Sequence, residues 1–192
     1  MLAFISFFAF YFSAFETNSY YQIDYKNFYQ LTEVNKKVDW LQPNIQLLEA
    51  AIFHCTNEQR VKNKLPLYKY AIDLNKAANY HSNSMAKYNF FSHVNEHEKN
   101  MKAFYQRMKQ YGGSFNGCGE NIAYAEFDYS YSYLEVATDI VELWMNSEGH
   151  RIHVLSTVYK ELGCGVGIKK VNAFQRVYAT QDFGGKRNSV QP

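Results

Sequence analysis

Most of the side chains able to bind a metal or move a proton fall in three short stretches. They are Phe91-Ser92-His93-Val94-Asn95-Glu96-His97, Gly117-Cys118-Gly119-Glu120-Asn121-Ile122 and Trp144-Met145-Asn146-Ser147-Glu148-Gly149-His150-Arg151, with His153 just beyond the last. His93-Val94-Asn95-Glu96-His97 matches His-x-x-Glu-His, in which two imidazoles one helical turn apart bind zinc and the Glu acts as base. That chemistry requires a helix, and the surrounding polar residues suit a helix end followed by a loop. Glu120 stands between Gly119 and Asn121, ahead of the apolar run Ile122–Ala125. A carboxylate entering a strand there must meet a cation or donors, or open onto a cleft. His150 follows Gly149 at what reads as a helix end, where the helix dipole favours imidazolium. Ser92, Ser147 and the thiols could be nucleophiles, but no spacing fixes them beside His93 or His150.

Positioning these stretches falls to a set of helices and short strands. Asn44 reads as an N-cap, and Ile45, Leu48, Ile52 and Cys55 share one face of a helix over 44–61. Pro66 interrupts, and Asp73 is expected to cap a second helix whose Leu74, Ala78, His81 and Met85 face inward. A short amphipathic stretch, 101–110, precedes Gly112-Gly113, and Val136, Ala137, Ile140, Val141 and Trp144 mark a helix over 133–145. Strand signals cover 121–125, 163–169 and 174–183. Helices interleaved with short strands imply an α/β sandwich of one domain.

Composition narrows the function classes. The 192 residues are 47% hydrophobic and 20% charged with net charge +2, which fits a folded domain and gives no basic field for phosphate binding. No nucleic acid partner is expected. Aromatic residues reach 18%, crowded toward the start. The run Leu2–Phe15 is too short to span a bilayer and matches a signal-peptide core. Residues 1–19 are therefore expected to be a signal peptide, with Thr17 and Ser19 as small residues near the cleavage point. Residues 20–43 read as a linker or pro-segment draped on a domain over 44–186, and 187–192 as a tail. Three cysteines, Cys55, Cys118 and Cys164, allow at most one disulfide.

Six segments in register resemble the CAP superfamily of cysteine-rich secretory proteins, antigen 5 and pathogenesis-related proteins, also called SCP domains, and most closely its short bacterial-type branch. They are Asn57-Glu58-Gln59-Arg60, His81–Ala86 with Phe90-Phe91-Ser92-His93, Gly119–Ala123, Trp144–Arg151, Gly163–Gly167 and Tyr178–Gly184. The resemblance implies a three-layer α-β-α sandwich with a central, mainly antiparallel sheet. It implies a cleft of His93, Glu120 and His150 that could hold zinc or another divalent metal, supported by Asn121, Ser147 and Arg151. Glu148 is the candidate second acid, one place beyond where longer members carry it. A Cys118–Cys164 bridge is also implied, leaving Cys55 a buried free thiol. The expected function is a secreted, non-enzymatic module for a lipid, sterol, glycan or protein ligand, with no stable membrane span after signal removal. The alternatives are a metal-dependent, peptidase-like hydrolase using the same cleft, and a purely structural buried network.

Overall fold

The computed structural model describes residues 19–187. The signal-peptide expectation therefore lies almost wholly outside the described residues. After a 3-10 turn at Tyr20–Gln22 come α1 (Tyr25–Phe28), α2 (Ile45–Lys62), β1 (Lys69–Tyr70) and α3 (Ile72–Tyr88). The 3-10 turn Lys99–Met101, α4 (Phe104–Gln110), β2 (Phe115–Phe127), α5 (Tyr133–Asn146), α6 (Glu148–Val154), β3 (Glu161–Val171) and β4 (Phe174–Arg187) follow. The sheet order is β1-β3-β4-β2; β1 runs parallel to β3 and the other pairs are antiparallel. Helices α3 and α4 cover one face, and α2, α5 and α6 the other, so the expected α-β-α sandwich forms.

Local chemistry sets the element ends. The Asn44 side chain accepts from the Leu47 N–H at 3.0 Å and starts α2. Ser132 and Glu135 form a capping box that starts α5. Asp73 does not cap α3 as expected. Ala71 takes the cap position, and the Asp73 carboxylate instead accepts from Leu74 N and pairs with Arg187. Once the Ala71 N–H is paired to the Leu162 carbonyl across β1 and β3, the helix begins directly behind the strand.

Close layering depends on three glycines of β3. Gly163, Gly165 and Gly167 face the α3 backbone at Leu74-Asn75, Ala78-Asn79 and Ser82-Asn83, where an added Cβ would fall inside main-chain atoms. Because β1 reaches only Glu161 and Leu162, the rest of the β3 edge lacks a strand partner. A buried carboxylate and two amides fill that gap: Val166 N–H donates to Glu49, which also accepts from Asn75 and Asn79, while Asn75 donates to the Cys164 carbonyl. Unmet backbone groups inside a protein are costly, which explains the buried Glu49.

One sequence expectation is corrected here. The segment 20–43, expected as a linker or pro-segment draped on the domain, packs into it: Phe28, Val34, Val38 and Trp40 are buried in the main core, and the Trp40 indole donates to the Asp128 carbonyl. Its aromatic residues follow no sustained helical or strand period because they enter the core from a 3-10 turn, a single helical turn at Tyr25–Phe28 and irregular chain. The Cys118–Cys164 bridge does not form, and all three cysteines are free. Strand β4 lies between the two, pairing Cys118 with Gly184 and Cys164 with Gln181, so they sit two strand spacings apart on opposite faces. A disulfide needs Cα atoms about 4.4–6.8 Å apart, less than the two spacings of about 4.8 Å that separate these strands. Cys55 is buried and free, as expected.

Candidate functional site

The polar centre forms where β2 passes under the loop that follows α3. Glu120 lies on the α3 face of β2, in register with Asp182 of β4, and both are buried. The loop after α3 delivers His93, whose Nδ1 meets Glu120 Oε1 at 2.8 Å. Helix α4 delivers Arg107, whose Nη2 donates to Glu120 Oε2 at 2.5 Å. Arg107 also donates to the carbonyls of Met101, Lys102 and His93, so it ties the loop to the sheet from beneath.

Burial alone would raise the Glu120 carboxyl, but the His93 hydrogen bond and then the Arg107 guanidinium outweigh it and hold it below the usual range. Asp182 moves the other way: burial, then the facing Glu120 charge, push it well up, against the pull of Arg107. Burial and charge thus pull the pair apart, Glu120 favoured as the carboxylate and Asp182 as the protonated acid. His81, fully buried under the loop, meets the Ser92 carbonyl through Nε2 at 2.9 Å. Burial pushes its imidazole down to about 4, so it is neutral.

Asn121 organises the opposite face. Its amide donates to the His150 carbonyl and to Gln181 Oε1, both at 3.1 Å, and its Oδ1 meets His153 Nδ1 at 2.9 Å. Gln181 in turn donates to Thr56 of α2. Adjacent residues of β2, the edge strand of the sheet, thus hold His93 through Glu120 and the α6 histidines through Asn121. Burial, then the nearby His93 and His153, lower the His150 pKa. Burial also lowers that of His153, against the pull of the Glu120 carbonyl. His150 lies in the first turn of α6, not at the C-terminus of α5, because Asn146 ends α5 and Ser147 begins the next helix. The imidazolium-favouring dipole expected for it is absent there.

The other sequence candidates play smaller parts. Glu148 is exposed at the start of α6, and no hydrogen bond or ion pair joins it to the cluster among the described residues. Ser147 makes no side-chain cap bond, and Arg151 donates to the Met145 carbonyl, fixing the junction of α5 and α6. The His93-x-x-Glu96-His97 pattern is not helical: Glu96 pairs with Lys102, and His97 stacks on Tyr88 at 4.2 Å. Its two histidines therefore never share a helical face.

As three zinc ligands, His93, Glu120 and His150 do not fit. Both Glu120 oxygens are engaged, and no group of three His, Cys, Asp or Glu side chains converges on a metal position among the described residues. What the centre does offer is one imidazole oriented by a carboxylate, with half of its side chain in solvent, beside two neutral imidazoles. Neither Ser92 nor Ser147 is hydrogen-bonded to His93 among the described residues; Ser92 Oγ accepts from Val94 N instead.

Sequence reasoning missed Arg107 and Asp182. Each carried a signal: Arg107 shares a helical face with Phe104 and Met108, and Asp182 shares a strand face with Tyr178 and Thr180. A charge on an apolar face announces a buried partner.

The sequence pattern of the "Cysteine-rich secretory protein family", CAP, matches residues 53–183. The chain is 35% identical over 135 residues to the Bacillus subtilis membrane protein YlbC, covering 70% of this chain and 34% of that protein. The structure of a Bacillus anthracis extracellular protein containing an SCP domain superposes with a TM-score of 0.54 at 28% identity, covering 73% of this chain and 42% of the other. An outer surface protein of Borrelia burgdorferi gives 0.53 at 21% identity, covering 71% of this chain and 90% of the other, a likeness of fold alone. The chain thus spans between a third and a half of the length of the two Bacillus proteins.

Proposed function

The chain belongs to the cysteine-rich secretory protein (CAP) family, and from that premise we propose that it is an extracellular binding module whose cleft, walled by His93, His150 and His153, holds a ligand without chemical turnover. The commitment of both Glu120 oxygens carries this reading. A carboxylate locked to a buried guanidinium and held below its usual range is a weak proton acceptor at pH 7. It orients the His93 ring instead, engaging Nδ1 and leaving Nε2 as the ring's other hydrogen-bonding atom. Extracellular placement is supported by the Bacillus anthracis relative, named as an extracellular protein. Among the described residues no helix is long and apolar enough to cross a membrane.

A metal-dependent hydrolase is the second reading, favoured by the carboxylate–imidazole contact, an arrangement that commonly orients metal-binding histidines. It would require Glu120 to leave Arg107 before it could act as ligand or base.

The deciding experiment incubates purified protein with a broad peptide and ester library, with and without added zinc, beside folded His93→Ala and His150→Ala variants. The binding reading expects no turnover in any condition. Zinc-dependent cleavage that His150→Ala abolishes would overturn it.

A further inference from the structure

Strand β2 ends the sheet, with β4 on one side and, among the described residues, no strand on the other. Which of its main-chain groups face that open side follows from the strands beyond β4. Cys164 and Val166 of β3 turn their main-chain groups away from β4, toward Asn75 and Glu49. Their β4 neighbours, Gln181 and Ala179, therefore turn theirs toward Asn121 and Ala123 of β2. Glu120, Ile122, Tyr124 and Glu126 are left to direct N–H and C=O outward.

Both ends of this edge are closed by the protein itself. Tyr159 donates to the Cys118 carbonyl, and His153 meets that of Glu120. At the other end the Trp40 indole donates to the Asp128 carbonyl, and Val38 N–H to that of Tyr131, where Lys37 pairs antiparallel with Ser132. Between these closures no hydrogen bond reaches the outward main chain of Ile122, Tyr124 or Glu126 among the described residues. Ile122 is buried at the inner end of the gap, and Tyr124 and Glu126 are exposed. Open edges are commonly blunted by Lys, Pro or a bulge, and residues 122–126 carry none of these.

The side chains beside the gap are aromatic. Tyr124 is 43% exposed and Phe91 46%, and their rings meet edge to face with centres 4.9 Å apart. The charge of Glu126 is already paired with Arg176 at 2.5 Å. We propose that this gap is a docking site for a short extended peptide, which adds to β2 as a strand, exchanges main-chain hydrogen bonds with Tyr124 and Glu126, and lays an aromatic or β-branched side chain on Phe91 and Tyr124. The backbone selects the ligand class: the outward donors and acceptors recur every second residue, about 7 Å apart, and another polypeptide strand carries the same repeat. The two rings set the preference at one position of the peptide. A gap closed at both ends within a few residues suits a linear segment, whereas a second folded copy would need about 800 Å² of surface on each partner. The gap lies further along β2 than Glu120 and Asn121, and its occupation does not depend on what the histidine cleft binds.

The probe is a random heptapeptide library displayed on phage and selected against the full chain. The selected peptides, made synthetically, are expected to carry an aromatic or β-branched residue near the middle, to bind with micromolar affinity and to move the amides of residues 122–126. Methylating one peptide nitrogen at a time should weaken binding about tenfold or more at alternate positions and hardly at all between them, as a paired strand requires. Tyr124→Pro removes one outward N–H without touching the β4 ladder, and it should weaken binding more than Tyr124→Ala. The methylation series needs no variant to fold. The proposal is overturned if selection yields no such peptide, if sensitivity to methylation does not alternate, or if the shifts centre on His150 and His153. It is equally overturned if the protein dimerises and Tyr124→Pro makes it monomeric, since a second copy would then be the occupant.

Discussion

Arg107 and Glu120 meet Nη2 to Oε2 at 2.5 Å with neither side chain more than 1% exposed. Two charges taken out of water are tolerated when further hydrogen bonds satisfy their remaining donors and acceptors. Arg107 uses Nη1 and Nη2 on three loop carbonyls and leaves only Nε without a partner among the described residues, and Glu120 is completed by His93. The pair is therefore a joint between loop, helix α4 and sheet, and His93 is positioned as a consequence of it.

Breaking one half of the joint should cost far more than breaking both. Arg107→Met leaves a buried carboxylate without its cation, a change worth about 3–5 kcal/mol in comparable buried pairs. Glu120→Gln should cost similarly, whereas the Arg107→Met, Glu120→Gln double variant should recover part of the sum. Denaturant unfolding of the four proteins checks this, and additive losses would show that the two side chains do not depend on each other.

The glycines of β3 give a second prediction with an internal control. Gly165→Ala would drive a methyl group into the Ala78-Asn79 backbone of α3, which cannot move without separating helix from sheet. A loss of about 3 kcal/mol or more is expected, in line with severe overpacking. At Gly149, in α6, an added Cβ meets nothing within 4 Å, so Gly149→Ala should stabilise by about 0.5–1 kcal/mol. Thermal melts of the two variants should therefore shift in opposite directions.

Much of this architecture is legible in the sequence where burial leaves a period. The Ile45, Leu48, Ile52 face announces α2, and the alternation from Phe174 onward announces β4. His93 and Glu120, chosen from motif text, do meet in space. Arg107 and Asp182 were hidden because a guanidinium from α4 and a carboxyl from β4 are both brought beside Glu120 of β2 only by tertiary packing. Pairing of the cysteines failed for a similar reason, since strand order decides separation and sequence does not state that β4 intervenes. Phe28, at the end of a four-residue helix, and Trp40, in irregular chain, were hidden because neither stretch is long enough or regular enough for burial to leave a repeat.

Thiol reactivity should follow burial. Cys55 and Cys164 are fully enclosed, and burial raises both, Cys55 to about 11; Cys118 is half-buried and also raised. In native buffer at pH 7.5 a thiol reagent should therefore modify Cys118 slowly and the other two not at all. In denaturant all three should react without prior reduction. A mass of native protein two units low, with only one reactive thiol after unfolding, would establish a bridge that this geometry forbids.

Glu49 should make stability fall as pH rises toward neutrality. Burial, opposed by hydrogen bonds from Asn75, Val166 and Asn79, raises its carboxyl from 4.5 to about 7. In the unfolded chain the group ionises near 4.5, so between pH 4.5 and 7 the folded state holds the extra proton. Stability from this group is complete below pH 4.5, declines through that window by about 3 kcal/mol at 1.36 kcal/mol for each pH unit, and is flat above 7. Glu49→Gln keeps a side-chain carbonyl for Asn79 and Val166 but has no proton to lose. Its denaturation midpoint relative to the parent should therefore rise from pH 4.5 to 7 and level off beyond. An unchanged difference between the two proteins across that window would mean that Glu49 is ionised throughout and that the β3 edge is sealed by a charge.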